Sequence, residues 1–212
     1  MLIGLTGNAG AGKDSAAAVL CAGGWLSIAF ADALRVEITD AWGIDQRLLT
    51  DRKHKESTTP QLAAGMASNA GWLRWAAVNG HSLAQPRSPR WVMQHWGTEF
   101  RRAADPLHWI KHVDYWVQHQ RRHQARDVVV TDVRFQNEAQ ALRNMGGRIV
   151  QVHRPGAAPL GTDTAAHISE QTGLIQCCAD IHNDGPLEAL SAEVWRVVQQ
   201  LRQAHPSTDA TP

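Results

Sequence analysis

The run Gly7-Asn8-Ala9-Gly10-Ala11-Gly12-Lys13 lies directly after an apolar stretch, Leu2–Thr6, and before an alanine-rich one, Asp14–Leu20. Glycines at positions 7, 10 and 12 let backbone N–H groups converge on an anion without Cβ clashes. A helix opening there adds the partial positive charge of its N-terminus. Lys13 adds a full charge, placed to lie between the β- and γ-phosphates of a nucleotide. The alternative is a glycine-rich strand-to-helix turn with no ligand. The pattern departs from its usual form at one position. The residue after the lysine is commonly Ser or Thr, whose hydroxyl binds Mg²⁺; here it is Asp14, followed by Ser15. Either oxygen type suits a hard cation, and the choice between Asp14 and Ser15 stays open.

Phosphoryl transfer is mainly positioning and charge neutralisation. Two polyanions brought together need further cations, and Arg102, Arg134 and Arg154 are the candidates. Arg134 follows Asp127–Asp132, whose four residues of high β-propensity read as a strand buried on both faces. Ligands of open α/β sheets bind at the carboxyl edge of such strands. Asp132, at that edge, is a candidate for the Mg²⁺ shell, or a helix N-cap, or both. Arg154 follows the next strand and opens a Gly- and Pro-rich segment, 154–166, that reads as a lid. Asp32 ends the second strand region and is a candidate contact to a sugar or acceptor; its alternative is the N-cap of a helix starting at Ala33. Glu138 reads as support for a helix.

The elements that must position these residues alternate. Strands are expected at Leu2–Thr6, Leu26–Phe30, Asp127–Asp132, Arg148–His153 and near Asp180–His182. Helical spacing covers Asp14–Leu20, Ala33–Trp42, Arg90–Arg102, His108–Gln120, Asn137–Asn144 and Pro186 to about Ala204. Thr50–Pro60 is a polar loop, Arg87–Pro89 is a break, and residues 206–212 form a disordered tail. The alternation implies an α/β fold with a parallel sheet in one domain over residues 1–205.

The 212 residues are 43% hydrophobic and 19% charged, with a formal net charge of +1. That composition is globular, and it offers no global field for nucleic acid or a membrane surface. No apolar run reaches the roughly 18 residues of a membrane span. Three cysteines, Cys21 and the adjacent Cys177 and Cys178, make a poor disulfide framework and fit a reducing, cytoplasmic setting. Cys177 and Cys178 read as small buried residues. His108/His112 and His119/His123 have helical i, i+4 spacing, but neither pair carries the Glu of a zinc-protease motif. The Arg121–Arg126 cluster reads as a solvated loop. The nine tryptophans read as core or groove residues, with Trp96 and Trp109 as candidates to stack on a base.

Several longer segments carry a family resemblance: Gly7–Ser15, Phe30–Arg35, Gln94–Asp105, Thr131–Glu138, Gly146–Pro155, His167–Glu170 and Asn183–Glu188. Through these, most of the chain resembles the bacteriophage-type deoxynucleoside monophosphate kinases, a branch of the P-loop nucleotide kinases. Gly97–Arg102 and Thr131–Glu138 are the specific segments. The resemblance implies a three-layer nucleoside monophosphate kinase fold with a parallel sheet, a substrate-binding helical segment and a lid. It implies ATP as phosphoryl donor, Mg²⁺ as cofactor and a deoxynucleoside monophosphate as acceptor, and leaves a homodimer open. Lys13, Asp132, Arg134 and Arg154 are then the expected catalytic residues. Gly7, Asn8, Ala9, Gly10, Ala11, Gly12, Lys13, Asp14, Ser15 and Asn183 are expected on ATP, and Asp14, Ser15 and Asp132 at the metal. Asp32, Arg35, Arg102 and Arg134 are expected on the acceptor. Dephospho-coenzyme A kinases are also similar in the phosphate loop, but phosphorylate a hydroxyl and need a base, which Asp32 could supply. A third reading is a nucleotide-binding module without catalysis.

Overall fold

The computed structural model describes residues 1–51, 53–123, 126–156 and 175–204. In chain order the main elements are β1 (Leu2–Thr6), α1 (Lys13–Ala22), β2 (Leu26–Ile28), α2 (Phe30–Trp42), α3 (Arg47–Thr50), α4 (Ala70–Val78) and α5 (Pro89–Gln94). A π-helical segment, His95–Arg102, follows. Then come α6 (His108–His123), β3 (Val128–Val130), α7 (Gln136–Asn144), β4 (Arg148–His153), β5 (Ala179–His182) and α8 (Leu187–Gln203). The chain forms two compact units, 1–29 with 113–212, and 30–112.

The first unit is built on a five-stranded sheet in the order β2-β3-β1-β4-β5, parallel throughout. β3 slots between β2 and β1, with Gly4 level with Val130 and Ile28 also level with Val130. Every residue of β1 and β3 is buried, as expected of central strands in a covered parallel sheet. One core cluster joins Ile3, Leu5, Val129, Val150 and Val152 of the strands to Ala16, Ala17 and Leu20 of α1 and Leu190, Val194 and Val198 of α8. Each fully buried Leu or Val there contributes roughly 1.5–3 kcal/mol. The expected α/β class with a parallel sheet is borne out.

The second unit is helical, and its core is aromatic. Trp72 and Trp96, 0% and 1% exposed, pack with ring centroids 5.2 Å apart, and Trp42 meets both edge-on at 5.5 and 5.3 Å. Burying an indole requires an acceptor for its N–H. Trp42 donates to Ala63 O, Trp72 to Ala64 O and Trp109 to Gly97 O. Asn69 caps α4 and Ser88 caps α5 through their side-chain oxygens, and Pro89 occupies the first turn of α5, where its missing N–H costs nothing. α5 then widens without a break into the π-helical turn, where Ala103 N–H reaches back five residues to Thr98 O.

The structure corrects several expectations. The second strand ends at Ile28, and Phe30 already begins α2. Asp32 therefore lies inside the first helical turn, where a carboxylate favours the helix dipole, and not ahead of it. α7 starts at Gln136, so Asp132 is too far upstream to be its N-cap. Trp96 and Trp109 are buried, each with its N–H bonded inside the unit, so neither offers a face to a base. Cys178 is exposed and Cys177 half-buried. Arg121, Arg122 and His123 continue α6 instead of forming a loop. No helix among the described residues is long and apolar enough to cross a membrane. Most of the expected lid, from residue 157, and the tail 206–212 lie outside the described residues.

Candidate functional site

The Gly7–Lys13 loop leaves the carboxyl end of the central strand β1 and enters α1. Gly7, Gly10 and Gly12 have φ of 135°, 78° and 98°, values that side chains disfavour. A Cβ on Gly7 would lie 2.3 Å from the Val152 carbonyl oxygen of the neighbouring strand, and one on Gly12 would lie 2.2 Å from Asn183 Nδ2. The loop is thus pressed against β4 and the turn after β5. Asn183 fixes this arrangement: its side chain donates to Ala11 O at 2.9 Å, and its backbone N–H donates to His153 O at 2.8 Å. α1 has no side-chain cap at Gly12, so the N–H groups of its first turn point toward the loop. Lys13 Nζ donates to Gly7 O at 2.7 Å and Asn8 O at 2.9 Å, which folds the ammonium over the loop. Asp14 and Ser15, in the first turn of α1, are exposed.

The same sheet edge carries the other residues expected in this unit. Asp132 and Arg134 follow β3, where Val133 N–H donates to Leu5 O of β1 at 3.0 Å. That bond keeps the segment in line with the strand that feeds the phosphate loop. Glu138, 2% exposed, reaches back from α7 and accepts from the backbone N–H groups of Arg134 at 2.8 Å and Phe135 at 3.1 Å. It fixes the backbone from which the Arg134 side chain projects, and so supports both the helix start and the sheet edge. Arg154 follows β4 and lines a cleft of about 320 Å³ together with Asn8, Ala11, Val152, Pro155 and His182. The structure therefore brings Gly7–Ser15, Asp132, Arg134, Arg154 and Asn183 to one edge of one sheet.

Asp32, Arg35 and Arg102 belong to the second unit. Arg35 Nη1 donates to Asp32 Oδ1 at 2.8 Å on successive turns of α2. Its Nε is buried with no hydrogen-bond partner among the described residues. Arg102 ends the π-helical segment and is half-buried.

Sequence reading missed Glu37. Its Oε2 accepts from Trp96 Nε1 at 2.9 Å and Arg101 Nε at 2.7 Å, and its Oε1 lies 2.6 Å from His108 Nε2. Burial alone would raise the Glu37 carboxyl, but the Trp96 and His108 hydrogen bonds and the Arg101 charge outweigh it and hold the group below its ordinary 4.5. The fold thus gives His108 and His112 a nearby carboxylate after all. That carboxylate is already engaged by a guanidinium, and the arrangement reads as an ion-pair hub linking α2, the π-helical segment and α6 at its start.

The profile of the deoxynucleotide monophosphate kinase family matches residues 76–194. That span contains both Gly97–Arg102 and Thr131–Glu138. A protein of Acanthamoeba polyphaga mimivirus, provisionally described as a deoxynucleotide monophosphate kinase, is 29% identical over 169 residues, covering 74% of this chain and 76% of its own. Among solved structures, a dephospho-CoA kinase from Campylobacter jejuni aligns with a TM-score of 0.50 at 13% identity, over 96% of this chain and 98% of its own. A Thermus thermophilus protein, TT1252, aligns with a TM-score of 0.49 at 17% identity, over 95% and 97%. At 13% identity the Campylobacter likeness speaks for the fold alone.

Proposed function

This chain belongs to the deoxynucleotide monophosphate kinase family and is a phosphotransferase; from that premise we propose that it transfers the γ-phosphoryl group of ATP, with Mg²⁺, to the 5′-phosphate of a deoxynucleoside monophosphate. The observation that carries the reading is the loop Gly7–Lys13, with its three glycines at positive φ, an uncapped helix start and Lys13 Nζ folded over it. Such a cradle suits a polyphosphate. The cleft beside it, walled by Asn8, Ala11, Arg154 and His182, suits the nucleoside end of ATP, with Asn183 fixing the wall it shares with the loop.

In the proposed step an acceptor phosphate oxygen bonds to the γ-phosphorus, the bond from γ-phosphorus to the β–γ bridging oxygen breaks, and ADP leaves with the electron pair. The acceptor is already an anion, so no strong base is needed. Lys13 offsets charge that moves toward the bridging oxygen. Arg134 is assigned to the transferring phosphoryl group and the acceptor phosphate, because a guanidinium suits bidentate binding of a dianion. Arg154 is assigned to the ATP phosphates. In the second unit, Asp32, Arg35 and Arg102 are assigned to the acceptor; the Asp32–Arg35 ion pair favours a positioning role for Asp32 over that of a base. Asp14, Ser15 and Asp132 are oxygen donors of the kind Mg²⁺ takes, two of them exposed in the first turn of α1 and the third at the β3 edge, and these would hold the ion. Bound there, Mg²⁺ supplies charge neutralisation across the β- and γ-phosphates.

The test is an acceptor panel with ATP-Mg²⁺: deoxy- and ribonucleoside monophosphates, dephospho-coenzyme A and simple sugars. Turnover with deoxynucleoside monophosphates is expected. Turnover confined to hydroxyl acceptors would replace this reading with a hydroxyl kinase, and nucleotide binding with no turnover would leave a binding module.

A further inference from the structure

We propose that His81, His95 and Glu99 form a binding site for a divalent transition-metal ion of the zinc type, separate from the Mg²⁺ that accompanies a nucleotide. One ligand atom from each of the three lies within 4.8 Å of the other two. His95 Nε2 and Glu99 Oε2 are 3.4 Å apart. That is long for a hydrogen bond, whose N···O distance is about 2.7–3.2 Å. It matches the edge of a tetrahedron with metal–ligand bonds of about 2.0–2.1 Å, roughly 3.3–3.4 Å. The His108–Glu37 contact in the same unit shows the contrast, at 2.6 Å a hydrogen-bonded pair.

The orientation of His95 is a second, independent observation. Its Nδ1 lies 2.8 Å from the Trp91 carbonyl oxygen, which can only accept. Nδ1 therefore carries a proton, and Nε2, the nitrogen left to ligate once its own proton is lost, faces Glu99. Imidazoles that ligate metals are commonly held in this way, by a backbone carbonyl on the other nitrogen. The His95 ring is stacked on Trp91 at 4.0 Å, which fixes its plane. His81 leaves α4 just after Gly80 and is held against Trp75, Trp91 and His95 with ring centroids at 5.2 Å from each. All three candidate ligands are half-buried, so the ion would be partly desolvated yet reachable. Two imidazoles and one carboxylate favour zinc, cobalt or nickel over magnesium or calcium. A bound ion would tie the turn after α4 to the π-helical segment.

The experiment uses the full chain, stripped with a chelator and titrated with Co²⁺ and then Zn²⁺. One equivalent of Co²⁺ should give a visible absorption band of low-symmetry, four-coordinate type, and Zn²⁺ should displace it. His81→Ala and His95→Ala should each weaken binding at least tenfold, with His81→Gln as the variant least disturbing to packing. His108→Ala and His112→Ala should leave binding unchanged. Zn²⁺ should raise the Tm of the unsubstituted chain and not that of His81→Gln. Absence of the Co²⁺ band in the unsubstituted chain overturns the proposal. So does a band with thiolate charge-transfer character, or binding that survives His81→Gln and His95→Ala. Each readout is independent of kinase activity, so failure here leaves the proposed function standing.

Discussion

The phosphate loop and the Glu37 hub both handle charge, but they are built in opposite ways. The loop is made from backbone within seven consecutive residues, Gly7–Lys13, plus the start of the next helix. The hub is made from side chains whose partners lie 59, 64 and 71 residues from Glu37. A backbone site tolerates side-chain exchange except where a Cβ or a charge intrudes. A side-chain hub tolerates no loss of its central acceptor, because buried Trp96 and half-buried Arg101 and His108 are then left without it. The lesson is that the loop should fail by losing chemistry and the hub by losing stability.

The largest effect expected is on rate. Lys13→Ala should lower kcat by a factor on the order of 10³ or more, equivalent to about 4 kcal/mol of barrier, with an unchanged far-ultraviolet circular dichroism spectrum. Near-normal kcat in the folded variant would move the active site elsewhere. The loop should also have one position where stability falls. Gly7→Ala forces a Cβ to 2.3 Å from the Val152 carbonyl at a φ of 135°, and should cost about 2–4 kcal/mol in denaturant unfolding. A cost within a few tenths of a kcal/mol would show that β4 yields and that the loop is not pressed against it.

The hub gives a smaller, pH-dependent effect. Glu37→Ala should destabilise by about 2–3 kcal/mol at neutral pH by removing the acceptor of Trp96, Arg101 and His108, while kcat at saturating substrate falls far less than in Lys13→Ala. A folded carboxyl held below its ordinary value stabilises the fold at pH above that value and loses the contribution as pH falls through the lowered one. The gap between the unsubstituted chain and Glu37→Gln should therefore be full above about pH 5 and close as pH falls below 4.5, the ordinary Glu37 value. A gap that is independent of pH would mean that Glu37 acts through packing alone.

The smallest effect concerns the cysteines. Burial, with Asp180 and Cys178 adding to it, pushes the Cys177 thiol up to about 11. At pH 7.5 its thiolate is scarce, so iodoacetamide should label it slowly, and labelling should accelerate as pH rises toward 10. Fast labelling of Cys177 at neutral pH would contradict the assigned environment.

The same contrast explains what the sequence made legible. The strand around Val128–Val130 and the phosphate loop carry their signals in contiguous residues, and both lie where expected. Gly97–Arg102 was legible as a helix but not as a π-helix, because nothing in its spacing encodes the wider turn. Asp132 looked like a helix cap because it precedes a helix. The N-cap position is Phe135, three residues further on, and Glu138 reaches back from inside the helix to the backbone N–H groups of Arg134 and Phe135 just ahead of it. Trp96 looked like a stacking platform because a tryptophan's fate depends on where its N–H finds an acceptor, and Glu37 lies far away in sequence. The His81–His95–Glu99 cluster escaped for a similar reason: its first two members are separated by a loop and a helix, and the regular i, i+4 pairs of α6 drew attention instead.

The central claim is that the new bond joins two phosphorus centres through oxygen. Phosphorus NMR of a reaction containing the enzyme, ATP-Mg²⁺ and a deoxynucleoside 5′-monophosphate tests it most directly. The acceptor's monoester resonance should disappear as two coupled diphosphate resonances of a deoxynucleoside diphosphate grow in, in step with the ADP signals, and Lys13→Ala should show neither change. A new phosphomonoester resonance with the 5′-phosphate left intact, or ADP formation accompanied only by inorganic phosphate, would contradict it.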